Sequence, residues 1–290
     1  MFNFLVSILI ASQLVVPLTE IANIVDQKET YPRRIDNGSF GPVIEAGSAL
    51  VMDAESGKVL YQKNGFEPRP IASITKLMTA LVFLENNLEW DREVVITKDD
   101  KESGGKVVVS PGEKLKLRDL FNVALVASVN SAAYELARVT DLSYDDFIKR
   151  MNSKAKEIGM MNANFVEPTG IDEHDRATAM DVAKLIQSAI KEDDIKEALT
   201  TTSYTFFSVE GSKYTIKNTN KLLKSYLDIW GGKTGYTEEA GYCLANLVHN
   251  KESGKNIIVV ILGAGSEEER FQQNKFLSQW VFDNWEWKKQ

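Results

Sequence analysis

Cysteine and histidine are nearly absent from this chain of 290 residues: Cys243 is the one cysteine, and His174 and His249 are the two histidines. A single cysteine excludes an intrachain disulfide, and the lack of a second thiol or a histidine cluster speaks against a zinc site. Cys243 stands in the apolar run Tyr242-Cys243-Leu244-Ala245, where it reads as a small buried hydrophobe. A Ser-His-Asp triad would need one of two histidines. His249 closes the strand-like run Cys243 to Val248, and His174 lies in the charged loop Asp172-Glu173-His174-Asp175-Arg176. Each reads as a turn or surface residue rather than a general base. Basic charge is also short, with 34 Lys and Arg against 41 Asp and Glu and a net charge of −7. That speaks against nucleic acid as a partner, because phosphate binding needs a dense basic face. With 43% hydrophobic and 26% charged residues, the chain has the balance of an ordinary globular protein and material for a sizeable core.

Long apolar runs are scarce too, with one exception at the start. Residues Phe4 to Leu18 are almost continuously apolar, and the first charged side chain is Glu20. This run falls short of the ~20 residues of a membrane span and suits a signal-peptide core. No Lys or Arg precedes it and no clear small-x-small cleavage site follows, so a buried N-terminal helix is the alternative. The polar stretch TYPRRIDNGSFG, Thr30 to Gly41, reads as a linker. The division expected is a signal peptide or N-terminal anchor over 1–25, a linker over 26–41 and a folded domain over 42–287. An exported protein is expected, in the periplasm or the extracytoplasmic cell-wall space, secreted or associated with a membrane through its N-terminal segment.

Val43 to Asp53 and Lys58 to Gln62, separated by the turn signal Ala54-Glu55-Ser56-Gly57, read as a hairpin. Ser73 to Leu84 carries Leu77, Ala80, Leu81 and Leu84 at helical spacing. Val94-Val95-Ile96 and Val107-Val108-Val109 read as short strands. Helices are predicted over Leu117 to Ala127, Ser131 to Val139, Ser143 to about Ile158, and Thr178 to Ala189, the last two opened by capping residues. From Tyr204 the pattern turns to strands, at 204–209, 214–217, 230–236, 242–248 and 257–262, before an amphipathic helix from Ser266 to Trp285. Helices fill the middle and strands from both ends can share one sheet, which is α+β.

Three short motifs carry the chemistry. Ser73-Ile74-Thr75-Lys76 begins a helix, where positions three apart share a face and Lys76 can reach Ser73. Backbone N–H groups at a helix start favour negative charge developing on Ser73. Serine needs a base, and with histidine scarce a neutral lysine is the physical alternative. At an ordinary pKa of ~10.4, roughly one lysine in 2,500 is neutral at pH 7; moving that pKa to ~7 takes about 4–5 kcal/mol. Burial and a second cation can supply it, and Lys233 is a candidate for that cation. Ser128-Val129-Asn130 offers a hydroxyl to relay a proton and an amide to hold a substrate amide. Lys233-Thr234-Gly235 on an exposed strand can pair with an extended peptide; Lys233 and Thr234 can bind a terminal carboxylate, and Gly235 admits a close backbone. Singly, each has a bland reading: a helix cap with a solvated lysine, a polar interhelical turn, an edge strand guarded by a charge. Together and in this order they resemble the motif set of penicillin-binding proteins and class A β-lactamases.

The sequence resembles the low-molecular-mass penicillin-binding proteins, the D-alanyl-D-alanine carboxypeptidase family. The resemblance runs from about Ala46 to the final helix, through ALVMDAESGKVLY (49–61), IASITKLMTA (71–80), MNSKAKEIGM (151–160), FVEPTGI (165–171) and GKTGYTEEAGYCL (232–244). It implies a β-lactamase/transpeptidase-like fold, with an antiparallel sheet packed against a central helical region. It also implies a serine-type D-Ala-D-Ala carboxypeptidase acting on peptidoglycan stem peptides without metal or organic cofactor, with β-lactams as covalent inhibitors. Carried over, Ser73 is the nucleophile, Lys76 its base, Ser128 the relay and Asn130 a substrate holder. Lys233 and Thr234 bind the carboxylate, and the N–H groups of Ser73 and Tyr236 form the oxyanion hole. The wording FVEPTG resembles the branch that includes DD-endopeptidases, which cut cross-links.

Two departures stand out. The middle triplet in this family is usually Ser-Gly-Asn, and Val129 restricts the backbone where Gly would be permissive, so an altered rate or substrate range is expected. The C-terminal β-domain and anchor helix of many members are not expected from the residues after the last helix; Trp280, Trp285 and Trp287 are expected to pack on the sheet. A class A β-lactamase would need a Glu-x-x-Leu-Asn loop, which Glu167-Pro168-Thr169-Gly170 does not match. A non-catalytic peptidoglycan-binding protein is the alternative of a different class, favoured by Val129 alone.

Overall fold

The computed structural model describes residues 31–86, 89–97 and 108–287. The predicted signal or anchor segment, linker residues 26–30 and Val107 lie outside the described residues. A five-stranded antiparallel sheet is formed by β1 (Ser48–Asp53), β2 (Val59–Lys63), β3 (Asp228–Thr237), β4 (Gly241–Asn250) and β5 (Lys255–Ala264), in the order β3-β4-β5-β1-β2, with the central strands buried on both faces. Strands from both ends of the chain thus meet where Ile258 pairs with Met52 and Val260 with Leu50. The period of two sorts the strand residues between two cores. Leu50, Met52, Ile258, Val260 and Leu262 face the helical side, while Ala49, Val51, Ile257, Val259 and Ile261 face the other. β3 is an edge strand, with one side left for another chain.

The helical side holds α1 (Lys76–Leu84), α2 (Leu117–Val126), α3 (Asn130–Arg138), α4 (Tyr144–Glu157), α5 (Ala179–Ala189) and α6 (Asp193–Thr200). The opposite face is covered by α7 (Glu267–Asn284). The predicted caps are made: Thr178 and Asp181 form a reciprocal capping box, and Ser143 accepts from the Asp146 backbone N–H. The α+β expectation holds. α6 was missed because its eight residues hold a single apolar set at helical spacing, Ile195, Ala198 and Leu199, too short a window to stand out. Val108 and Val109 are not in a strand; Val109 is buried in the helical core instead.

The part of the predicted linker that is described is not a loose tether. Arg33–Arg34 pairs antiparallel with Trp285–Glu286, Ile35 N donates to Asn284 O at 2.9 Å, and Trp280 Nε1 donates to Ser39 Oγ at 3.0 Å. The folded unit therefore begins before residue 42, because the end of the chain satisfies the polar backbone of residues 33–39. Trp280, Trp285 and Trp287 pack against the outer core, with Trp287 Nε1 donating to Asp53 Oδ1 at 2.8 Å. Among the described residues no helix is long and apolar enough to cross a membrane.

Candidate active site

Ser73 does not open an α-helix. It sits in a 3-10 turn, Ala72–Thr75, and α1 begins at Lys76. The reason is crowding from two directions. A Cβ on Gly235 would stand 2.8 Å from Ile71 O and 3.1 Å from Ser73 N, and one on Gly170 would stand 1.9 Å from Ala72 O. The peptide carrying the nucleophile is clasped between the edge strand β3 and the 165–171 loop, and Ala72 takes a left-handed φ of 47°. Lys76 still shares a face with Ser73, and its Nζ reaches Ser73 Oγ at 2.7 Å.

Lys76 is buried, 1% exposed, and its Nζ also meets Asn130 Oδ1 and Thr169 O, each at 2.7 Å. An amide oxygen and a backbone carbonyl can only accept. A neutral amine has two N–H groups for these two acceptors and a lone pair left for the Ser73 hydroxyl. Asn130 is the first residue of α3, so the turn between α2 and α3 delivers its side chain to the lysine.

On the other side, Ser128 Oγ accepts from Lys233 Nζ at 2.6 Å, and Lys233 Nζ also donates to Thr234 O at 3.0 Å. Lys233 is buried to the same degree as Lys76. Burial pushes its pKa well below the lysine range, and the charges of Lys76 and Arg270 push the same way. The second lysine anticipated from sequence is therefore present in the same dry cleft, and its nearness to Lys76 disfavours a charge on Lys233. Ser128 takes a left-handed φ of 62°, whereas Val129 has φ −74° and ψ 128° with its side chain buried. The backbone demand falls on Ser128, and the conformation at 129 is open to any residue. The backbone restriction that Val129 imposes is therefore compatible with the conformation found there.

Ser73, Ser128, Asn130, Thr234, Gly235 and Tyr236 line one cleft beside the edge of β3, with Lys76 and Lys233 beneath its floor. Thr234 Oγ1 shares a hydrogen bond with Thr219 Oγ1, and Tyr236, half exposed, stacks on Tyr242. His249 stacks on Trp230 at the far end of β4, and His174 pairs with Asp172 in an exposed loop; neither lines the cleft. Cys243 is buried, and burial pushes its thiol up to about 11, the state of an inert side chain.

Sequence reasoning missed two contributors. Arg270 from α7 lines the cleft, donates from Nη1 to Gly235 O at 3.0 Å, and has a buried Nε without a hydrogen-bond partner among the described residues. Its place among glutamates at a helix start reads as surface charge, and only the packing of α7 on β4 and β5 brings it to the motif strand. The Thr169 carbonyl was missed because no side-chain pattern marks a backbone acceptor, although FVEPTGI was already singled out.

The model of the D-alanyl-D-alanine carboxypeptidase family matches residues 37–266. The chain is similar to the D-alanyl-D-alanine carboxypeptidase DacF of Bacillus subtilis, with 33% identity over 83% of this chain and 63% of that protein. It is also similar to the D-alanyl-D-alanine endopeptidase of Escherichia coli, with 36% identity over 83% of this chain and 78% of that protein. The chain thus spans less than two thirds of the length of DacF. Among solved structures, the Streptomyces K15 DD-transpeptidase superposes with a TM-score of 0.77 at 30% identity, covering 84% of this chain and all of that one, 100%. Penicillin-binding protein D2 of Listeria monocytogenes in its ampicillin-bound form gives 0.73 at 32% identity over 84% of this chain and 100% of that one. With the motif residues gathered in one cleft and a match across most of its length, this chain belongs to the D-alanyl-D-alanine carboxypeptidase family.

Proposed function

We propose that the chain is a serine-type D-Ala-D-Ala carboxypeptidase that trims peptidoglycan stem peptides through an acyl-enzyme on Ser73. The observation that carries this is the Lys76 amine, aimed at the Ser73 hydroxyl with its other directions occupied by groups that only accept. The substrate would lie extended along the outer edge of β3, as an added strand. Its terminal carboxylate would meet Thr234 and Arg270, with Lys233 close behind. Asn130, whose Oδ1 is held by Lys76, would turn its Nδ2 toward a substrate carbonyl.

In the first half-reaction Ser73 Oγ gives its proton to Lys76 and attacks the carbonyl between the two D-alanines. The N–H groups of Ser73 and Tyr236 would hold the oxyanion. Ser128, hydrogen-bonded to Lys233, would relay the proton taken up by Lys76 to the leaving amine as the C–N bond breaks and D-alanine departs, which leaves Lys76 neutral for the second half-reaction. In the second half-reaction water attacks the acyl-enzyme, the proton returns through Lys76, and Ser73 is restored. β-Lactams would acylate the same serine. We also propose that the protein works outside the cytoplasmic membrane, where the apolar run from Phe4 to Leu18 would export or anchor it.

A DD-endopeptidase is the second reading, favoured by the FVEPTG stretch and by similarity to proteins named endopeptidases. The deciding test incubates the full chain with fluorescent penicillin and maps the labelled peptide, with Ser73→Ala as control. A label on Ser73 that the control lacks supports the acylating machinery; folded protein without label sinks it and brings the binding-protein reading forward. Release of D-Ala from a pentapeptide, compared with cleavage of a cross-linked dimer, then separates the two peptidase readings.

A further inference from the structure

The 166–171 loop carries the Thr169 carbonyl to Lys76 and Gly170 to the backbone of Ser73. Two acidic side chains shape it from inside. Glu167 accepts from the backbone N–H groups of Thr169 at 2.7 Å, Ile171 at 2.8 Å, and Gly170. Asp175 accepts through Oδ1 from Val166 N at 2.6 Å and Glu167 N at 3.3 Å, and its own carbonyl accepts from Ile71 N at 3.1 Å, just before the nucleophile turn. The loop is pinned to α1 again by Thr79 Oγ1, which donates to Pro168 O at 2.6 Å from the turn after Lys76. Asp175 is wholly buried, its Oδ2 has no hydrogen-bond partner among the described residues, and the carboxyl of Glu167, whose own backbone N–H is held by Asp175 Oδ1, acts on it. Two ionised carboxylates in that position would repel in a dry site. A proton on Asp175 Oδ2, donated to Glu167, satisfies both groups and leaves Glu167 its backbone donors.

We propose that Glu167 and Asp175 act as a proton-sharing positioning pair, folding residues 166–171 so that the Thr169 carbonyl orients the Lys76 amine toward Ser73. The inference rests on the acyl-enzyme reading above and assigns neither acid a contact with substrate. Burial raises the Asp175 carboxyl to about 8, and the adjacent Glu167 charge acts in the same direction. Apart from Glu167, the titratable groups facing the pair among the described residues are Tyr144 on α4, itself pushed up to about 12 by burial and by Glu167, Tyr134 behind it on α3, and Lys76 across the loop. Asp172 and His174 on the same loop are solvent-exposed and pair with each other. The native loop binds the Asp175 proton more tightly than the unfolded chain. Its contribution to stability is therefore full below the ordinary carboxylate range and is lost as pH rises through about 8.

The test compares acylation rates of the full-length wild type, Asp175→Asn, Asp175→Ala and Glu167→Gln with fluorescent penicillin from pH 6 to pH 9, with circular dichroism to check the fold. Asparagine reproduces the protonated acid, accepting through its oxygen and donating to Glu167 through its amide. The Asn variant should acylate within about threefold of wild type at pH 7, and its rate relative to wild type should climb at least threefold by pH 9. Taking that ratio cancels the titration of Lys76 and Lys233. The Ala and Gln variants should each lose at least tenfold, because one deprives the loop of its buried acceptor and the other sets an amide N–H against backbone donors. A pH-independent ratio for the Asn variant, or an Ala variant as fast as wild type, overturns the proposal. If the Ala variant does not fold, the Asn ratio and the Gln loss decide alone. Absence of any Ser73 label in wild type would instead sink the acyl-enzyme reading, so the two failures are distinct.

Discussion

Gly235 and Ser73 are in backbone contact: a Cβ on the glycine would sit 3.1 Å from the Ser73 nitrogen and closer still, 2.8 Å, to the Ile71 carbonyl. The glycine of the third motif is thus required less by the arriving substrate than by the nucleophile turn already resting on it. Gly235→Ala should force β3 and the Ala72–Thr75 turn apart by several tenths of an ångström. Overpacking of this kind costs about 1–3 kcal/mol, and its larger effect should fall on the spacing of the oxyanion donors. Penicillin acylation should drop by ten- to a hundredfold while the circular dichroism spectrum stays native. An alanine variant that acylates like wild type would show the contact to be slack.

Val129 is a core residue standing in a catalytic motif. Its side chain is 3% exposed among the apolar residues of the helical side, and its backbone is extended. Restoring the glycine usual in the family should therefore not raise the acylation rate. It should cost about 2–3 kcal/mol through the lost burial of an isopropyl group, read as a lower melting temperature. A faster Val129→Gly enzyme of unchanged stability would contradict this placement.

The periodic elements and the three motifs were legible because each is written in side chains at fixed spacing. The edge position of β3, the capping box at Thr178 and the reach of Lys76 to Ser73 all follow from such local patterns. What escaped was written in the backbone or in long-range packing. The 3-10 turn at Ser73 results from two glycines distant in sequence closing on it. The Thr169 carbonyl carries no sequence mark, and Arg270 reaches the cleft only because α7 lies across the sheet. Residues 33–39 read as linker because their partners lie some 250 residues away in sequence, at the end of the chain.

Lys233 is a charge held where charge is disfavoured. Its pKa is lowered by burial first, then by Lys76 and Arg270, so the folded state binds its proton less tightly than the unfolded chain. Stability contributed by this site therefore rises with pH between the lowered value and the ordinary lysine range near ~10.4. Lys233→Met removes that penalty along with the donor to Ser128. Replacing a buried charge with an apolar group of similar shape is often neutral or stabilising. The variant should melt no lower than wild type at pH 6.5, the wild type should gain relative to it by pH 9, and acylation should fall about a hundredfold. A strongly destabilised Met variant would mean that the lysine serves mainly to hold the fold.

Whether Lys76 acts as a base or only as a cation can be read from Lys76→Arg. Arginine keeps the positive charge and can donate to Asn130 Oδ1 and the Thr169 carbonyl, the two acceptors that Lys76 now meets at 2.7 Å. It cannot give up a proton near neutral pH, so it has no lone pair to offer the Ser73 hydroxyl. If the lysine supplied only electrostatic stabilisation, the arginine variant would retain much of its rate. If it is the base, acylation should fall by about a thousandfold, within the usual range for loss of general-base catalysis. Raising the pH should not rescue it, because the guanidinium stays charged. The comparison needs a folded variant, and the cleft is tight, so Lys76→Met serves as a second reading. It removes both charge and base, and an equal loss in the two variants would assign the whole effect to the proton transfer.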